Sequence, residues 1–238
     1  MYGESNIGRV RKKNQDSFFF NESYGIAVVA DGIGGRPFGE LASKIAVNSI
    51  KHSYVACQSL REDEASQFLV RSIDAANTEI RDHGEKQPNT KGMGTTVNAL
   101  MFVGGNLYIG HVGDSRTYYY RDGHYWQLTV DHSVGVYIEK GWFPPHSAQN
   151  QAKSAALVRA LGLSEHCEPD VYEKKLRVGD VYLCCSDGLS GFVSDKRVTQ
   201  ILQSCGSDLS EAPKKLIKEA NKNGGKDNIT VVVAEVLA

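Results

Sequence analysis

Asp31, Asp114, Asp187 and Asp227 carry the most chemical content in the chain, because each stands where an apolar run ends or begins. Asp31-Gly32 closes Ile26-Ala27-Val28-Val29-Ala30, and Asp187-Gly188 closes Val181-Tyr182-Leu183-Cys184-Cys185-Ser186. Asp114 follows Gly113 after the run 107–112, and Asp227-Asn228 opens the last apolar stretch. A carboxylate at the end of a buried strand sits at the rim of the core, where leaving it unpaired is costly. Several together need a compensating charge, which a hard divalent cation with oxygen ligands supplies. Neighbouring glycines let backbone carbonyls or water approach closely. A single Asp-Gly is an ordinary turn signal, and Asp122-Gly123 is read as no more than that. The reading rests on the set. Upstream lie Arg11, Asn14, Gln15 and Asp16. Arginine offers a planar fork for phosphate oxygens, against the plainer reading of 9–13 as a solvated basic run.

These residues need elements to hold them. Strands are expected at 17–20, 24–30, 95–103, 106–112, 116–120, 125–128, 171–176, 180–185 and 228–236. Helices are expected at 38–57, 64–83, 131–141, 154–161, 195–205 and 209–221, the last opened by Asp208 and Glu211 spaced like a capping box. The strands come as hairpins and the helices in pairs. That pattern predicts antiparallel sheets covered by helices, in one domain over 1–238.

Composition narrows the function. The chain has 238 residues, 41% of them apolar, with 27 Lys and Arg against 28 Asp and Glu for a net charge of −1. A chain without surplus cations is not a nucleic-acid coating protein. Nothing resembles a membrane span or a signal peptide. The five cysteines show no CxxC spacing and read as free thiols of a reducing compartment. The seven histidines form no HxH or HExxH pattern, so a histidine metal site is not expected. Gly224-Gly225-Lys226-Asp227 lacks the spacing of a phosphate-binding P-loop. Tyr118, Tyr119, Tyr120, Tyr125 and Trp126 read as cross-strand packing in a hairpin, not as a platform for bases.

Eight motifs follow one another in a telling order: Arg11-Lys-Lys-Asn14-Gln15-Asp16, Asp31-Gly-Ile-Gly-Gly35, Gly94-Thr-Thr96, Gly113-Asp-Ser-Arg116, Asp131-His-Ser133, Arg159-Ala-Leu-Gly162, Ser186-Asp-Gly188 and Lys226-Asp-Asn228. From about Gly8 to Val236 the chain resembles the metal-dependent protein serine/threonine phosphatases of the PPM, or type 2C, family in its compact bacterial form. The resemblance implies an α+β fold, a four-layer αββα sandwich of two antiparallel sheets flanked by helix pairs. It implies a centre of two Mn(II) or Mg(II) ions, with a third at a weaker site. Asp31 would bridge the two ions, the Gly32 carbonyl would ligate one, Asp187 and Asp227 the other, and Asp114 the third. Asp16, acting through water, and Asn228 would stand behind these ligands. Arg11 would hold the substrate phosphate, and a mobile flap would cover about 132–155.

The implied function is hydrolysis of phosphoserine and phosphothreonine in proteins by a metal-activated water, opposing a Ser/Thr kinase. A cytoplasmic monomer is expected, acting on phosphorylated proteins without nucleic acid or membrane. Three departures bear on this. Ile33 and Arg36 stand where some members carry histidine, and Gln151-Ala152 where a His-Pro pair is common. The proton donor to the leaving group is therefore unassigned, with a water on a metal as the default. The competing readings are a phosphoprotein-binding pseudophosphatase, against which the full ligand set and Arg11 speak, and a regulatory phosphatase of a partner-switching pathway.

Overall fold

The structure is a computed structural model that describes residues 1–36, 38–57, 60–143 and 155–237. Among the described residues, ten strands form two antiparallel sheets of five. In the first, β1 (Tyr2–Asn6), β10 (Ile229–Glu235), β9 (Val181–Cys185), β6 (Arg116–Arg121) and β7 (His124–Gln127) lie side by side in that order. In the second the order is β2 (Asp16–Asn21), β3 (Ile26–Asp31), β4 (Val97–Val103), β5 (Asn106–Val112) and β8 (Asp170–Lys175). The helices are α1 (Gly39–Ala56), α2 (Ala65–Lys86), α3 (Val134–Glu139), α4 (Asp187–Ser190), α5 (Asp195–Cys205) and α6 (Ala212–Lys222).

Alternation along the strands makes four layers. In β3, Ile26, Val28 and Ala30 pack under α1 and α2, while Ala27 and Val29 face the other sheet. In β9, Val181, Leu183 and Cys185 pack under α5 and α6, while Tyr182 and Cys184 face the other sheet. Both faces of these strands are buried, so they read as unbroken apolar runs although they are antiparallel. The adjacent cysteines fall on opposite faces for the same reason. The aromatic hairpin packs as expected: Tyr118 stacks on Tyr125 at 4.4 Å and Tyr119 on Trp126 at 5.3 Å between ring centroids. Its turn takes positive φ at both Asp122 and Gly123, the mirror-image turn that matches strand twist.

Three details differ from the sequence expectation. The polar segment Tyr2–Asn6 is a strand, drawn to the sheet edge by ladder bonds to β10 and carrying no apolar signal of its own. The helix expected at 154–161 does not form. Residues 155–161 instead lend backbone to isolated bridges, Ser133 with Leu157 and Thr95 with Leu161, and those bonds outweigh its helix-like spacing. The helix expected at 209–221 opens with a 3₁₀ turn, Leu209–Glu211, and Asp208 caps it by accepting from the Ser210 N–H. Of the expected flap at 132–155, residues 144–154 lie outside the described residues.

Candidate metal centre

One end of the sandwich gathers the aspartates. Asp16, the first residue of β2, pairs in register with Asp31, the last of β3. Asp187 begins α4 directly after β9, and Asp227 precedes β10, the strand paired with β9. Asp114 sits in the turn from β5 to β6. Strand ends from both sheets thus deliver acids to one place. A cavity of about 500 Å³ opens there, walled by Arg11, Asp31, Gly32, Asp114, Asp187 and Asp227.

Backbone contacts fix each acid. The Asp31 carbonyl accepts from the Thr96 N–H and the Thr95 hydroxyl, both at 2.8 Å, and the Asp31 N–H donates to Thr96 Oγ1 at 2.9 Å. Gly32 donates to the Gln15 carbonyl at 3.1 Å. A β-carbon on Gly32 would collide with the Gly39 carbonyl and lie 2.8 Å from the Gln15 oxygen. A β-carbon on Gly188 would run into the Asn228 carbonyl, so α4 packs against the start of β10 only with glycine there. Gly113 has a φ of +107°, which suits glycine and turns Asp114 inward. Asn228 ties the amino-terminal segment to the site: its amide donates to the carbonyls of Ile7 at 2.8 Å and Lys13 at 3.0 Å, and its oxygen accepts from the Gln15 N–H at 2.9 Å. That clamp sets Arg11, whose Nη2 donates to Asp227 Oδ2 at 2.6 Å.

The electrostatics describe carboxyls short of positive charge. Burial, then the neighbouring acids Asp16, Asp187, Asp114 and Asp227, pushes Asp31 well above the usual carboxylate range. Burial raises Asp187, aided by Asp227, and lifts Asp114 to about 7 with help from Asp187 and Asp131. Asp16 rises to about 6 through burial, although its Oδ2 accepts from Thr230 Oγ1 at 2.6 Å and Ser186 Oγ at 2.8 Å. The Arg11 guanidinium is raised by its bond to Asp227.

Among the described residues, no three His, Cys, Asp or Glu side chains converge closely enough to hold an ion as they stand. The donor set fits divalent ions nonetheless. It is all hard oxygen, and two buried oxygens, Asp16 Oδ1 and Asp187 Oδ1, have no hydrogen-bond partner among the described residues. One acid meets an opposite charge directly: Asp227 holds Arg11.

The expected site residues therefore come together. Asp31, Gly32, Asp114, Asp187, Asp227 and Arg11 line one cavity, with Asp16 and Asn228 behind them. Sequence reasoning assigned no role to Thr96, Ser186 or Thr230, which hold Asp31 and Asp16. Thr230, a hydroxyl in an otherwise apolar strand, was the available signal. His132 locks the segment before α3. Its Nδ1 accepts from the Gly113 N–H at 3.1 Å, which leaves Nε2–H to donate to Asp170 at 3.2 Å.

Comparison with known proteins gives the family. The profile of the family described as "Protein phosphatase 2C" matches residues 3–220. The serine/threonine protein phosphatase PstP of Mycobacterium tuberculosis is 37% identical over 238 residues, 98% of this chain, which spans only 44% of that protein. The serine/threonine phosphatase stp of Listeria monocytogenes is 35% identical over 233 residues, 96% of this chain and 92% of its own length. The solved catalytic domain of PstP in complex with two manganese ions superposes with a TM-score of 0.85 at 34% identity, covering 99% of this chain and 97% of that one.

Proposed function

The chain belongs to the protein phosphatase 2C family, and on that premise we propose that it hydrolyses phosphoserine and phosphothreonine in proteins at a metal centre, opposing a Ser/Thr protein kinase. The observation that carries this is one cavity in which a guanidinium faces four clustered aspartates. Asp31, the Gly32 carbonyl, Asp187 and Asp227 would hold two Mn(II) or Mg(II) ions, and Asp114 a third. Four carboxylates at −1 each balance two such ions. Bound there, the ions supply a water of lowered pKa and positive charge for the phosphoryl oxygens.

The chain's own residues do the rest. Thr95 and Thr96 anchor the backbone of Asp31, so its carboxylate would be held in place to take an ion. Asp16 steadies the base of the site through Ser186 and Thr230. Arg11, which rests on Asp227 at the cavity wall, would present its fork to the non-bridging phosphate oxygens. The site contains no cysteine, which fits direct hydrolysis without a covalent phosphoenzyme. No helix among the described residues is long and apolar enough to cross a membrane. A cytoplasmic monomer remains part of the proposal.

The test is Mn(II)-dependent turnover of p-nitrophenyl phosphate and of a phosphothreonine peptide. We expect both activities, and a loss of about a thousandfold or more in Asp31→Asn, equal to ~4 kcal/mol of transition-state stabilisation. Purified protein that hydrolyses no phosphopeptide with Mn(II) would sink the proposal in favour of a binding role.

A further inference from the structure

Beside the metal cavity lies a second, more open hollow of about 380 Å³, walled by Arg11, Lys12, Lys13, Arg36, Phe38 and Glu40. Arg11, Gln15 and Arg36 line both spaces, so a chain bound in one continues into the other. Four cations here face one acid. Two of them are engaged, Arg11 on Asp227 at 2.6 Å and Lys13 on Glu40 at 2.7 Å. Among the described residues Lys12 and Arg36 make no ion pair, and Arg36 reaches only the Gly92 carbonyl at 3.3 Å. Phe38 completes the wall. The residue is 43% exposed and its φ is +54°, a left-handed conformation that strains any residue with a β-carbon. The fold keeps that strain and leaves an aromatic surface in the open beside unpaired cations.

This composition is the reverse of the neighbouring metal cavity. Acids dominate there and would repel an anionic flank of a substrate, whereas the hollow attracts one. We propose that the hollow is a substrate subsite for an anionic side chain near the phosphorylated residue, with Lys12 and Arg36 as its specificity-determining residues. Its ligand is a carboxylate or a second phosphoryl group on the same peptide, with Phe38 covering the peptide's apolar atoms. The inference rests on the phosphatase function proposed above and goes beyond it by naming the class of substrate.

The experiment uses the chain with Mn(II) and four phosphothreonine peptides of equal length. Their flanks carry neutral residues, glutamates, lysines or a second phosphothreonine. The expected result is a kcat/KM roughly three- to tenfold higher for the glutamate or diphosphorylated peptide than for the neutral one, carried in KM, as befits two partly exposed ion pairs. The lysine-flanked peptide should be the poorest. Raising salt from 50 to 500 mM should shrink the differences. In Lys12→Glu/Arg36→Glu the order should reverse, and Lys12→Glu alone, at an exposed position, should move the ratio the same way. Whichever of the two anionic peptides leads identifies the source of the charge. Equal kcat/KM across the flanks, or a preference that survives charge reversal, overturns the subsite while leaving the phosphatase proposal standing. Absence of hydrolysis with every peptide and with p-nitrophenyl phosphate overturns that underlying proposal instead.

Discussion

Asp31 is half-buried in the cavity wall, and its nearest charged neighbours are other acids. Without ions the crowd is relieved by protons, by Arg11 and Arg116 and by the hydroxyls on Asp16, so the groups built to hold metal are also sources of instability. Asp31→Asn removes one charge while keeping the shape. In EDTA at pH 8 this variant should melt higher than the parent by roughly 2–8 °C, taking about 1–2 kcal/mol of relieved repulsion at this chain length. The same variant should lose most of the rise in Tm that Mn(II) gives the parent, because ligand binding stabilises only what it binds. A melting point in EDTA below the parent's would show that the crowding is not destabilising. At this scale the sequence was most legible. The four aspartates were recognisable because each interrupts or borders an apolar run. The roles of Thr96, Ser186 and Thr230 were not, since a hydroxyl stands out by its type, as Thr230 does in β10, without showing which carboxylate or backbone group it will meet.

Elements position these residues by close backbone approach and by one ion pair beside the site. Gly32 lets β3 pass between the start of α1 and the Gln15 backbone. Gly32→Ala should cost about 1–3 kcal/mol in urea denaturation, as overpacking against rigid backbone does. An unchanged midpoint would mean that α1 can shift freely. Arg116 on β6 grips Asp131 with three hydrogen bonds of 2.7–3.0 Å, and Asp131 is buried. Arg116→Met should therefore destabilise by about 3–5 kcal/mol, mostly through the acid left without its partner. Most elements were legible from periodicity, and Asn106–Val112 and Asp195–Cys205 match their expected bounds. The failures share a cause. Tyr2–Asn6 is a strand because β10 offers it a ladder, and 155–161 is irregular instead of helical because Ser133 and Thr95 offer it isolated bridges. Such bonds come from distant chain and leave no local period.

The whole molecule couples the acid cluster to pH. Carboxyls raised in the folded state bind protons that the unfolded chain has already lost, so their contribution to stability is present at low pH and disappears as pH rises through the folded values. Buried histidines act in the opposite sense. Burial holds His111 down to about 3 and lowers His132, so their contribution is complete above about 6.5 and falls away below. The two effects separate between pH 6.5 and 8, where Asp114, near 7, and Asp31, held well up, dominate. Metal-free protein in EDTA should lose stability as pH rises across that window, by at most about 1.4 kcal/mol per pH unit for each group and with Asp114's share tapering off above its value near 7, each kcal/mol lowering Tm by about 2–4 °C. Saturating Mn(II) should flatten the slope, and a flat profile in EDTA would contradict the picture. The sequence by itself determined the layered plan, the acids at strand ends and the family they resemble, because burial on both strand faces and glycine at close contacts must be written in residue types. Only the tertiary structure decided that Arg11 rests on Asp227, that Asp16 hangs from Ser186 and Thr230, and that Lys12 and Arg36 share a hollow with Phe38. Those contacts join residues far apart in the chain, and their geometry arises only when two sheets close upon each other.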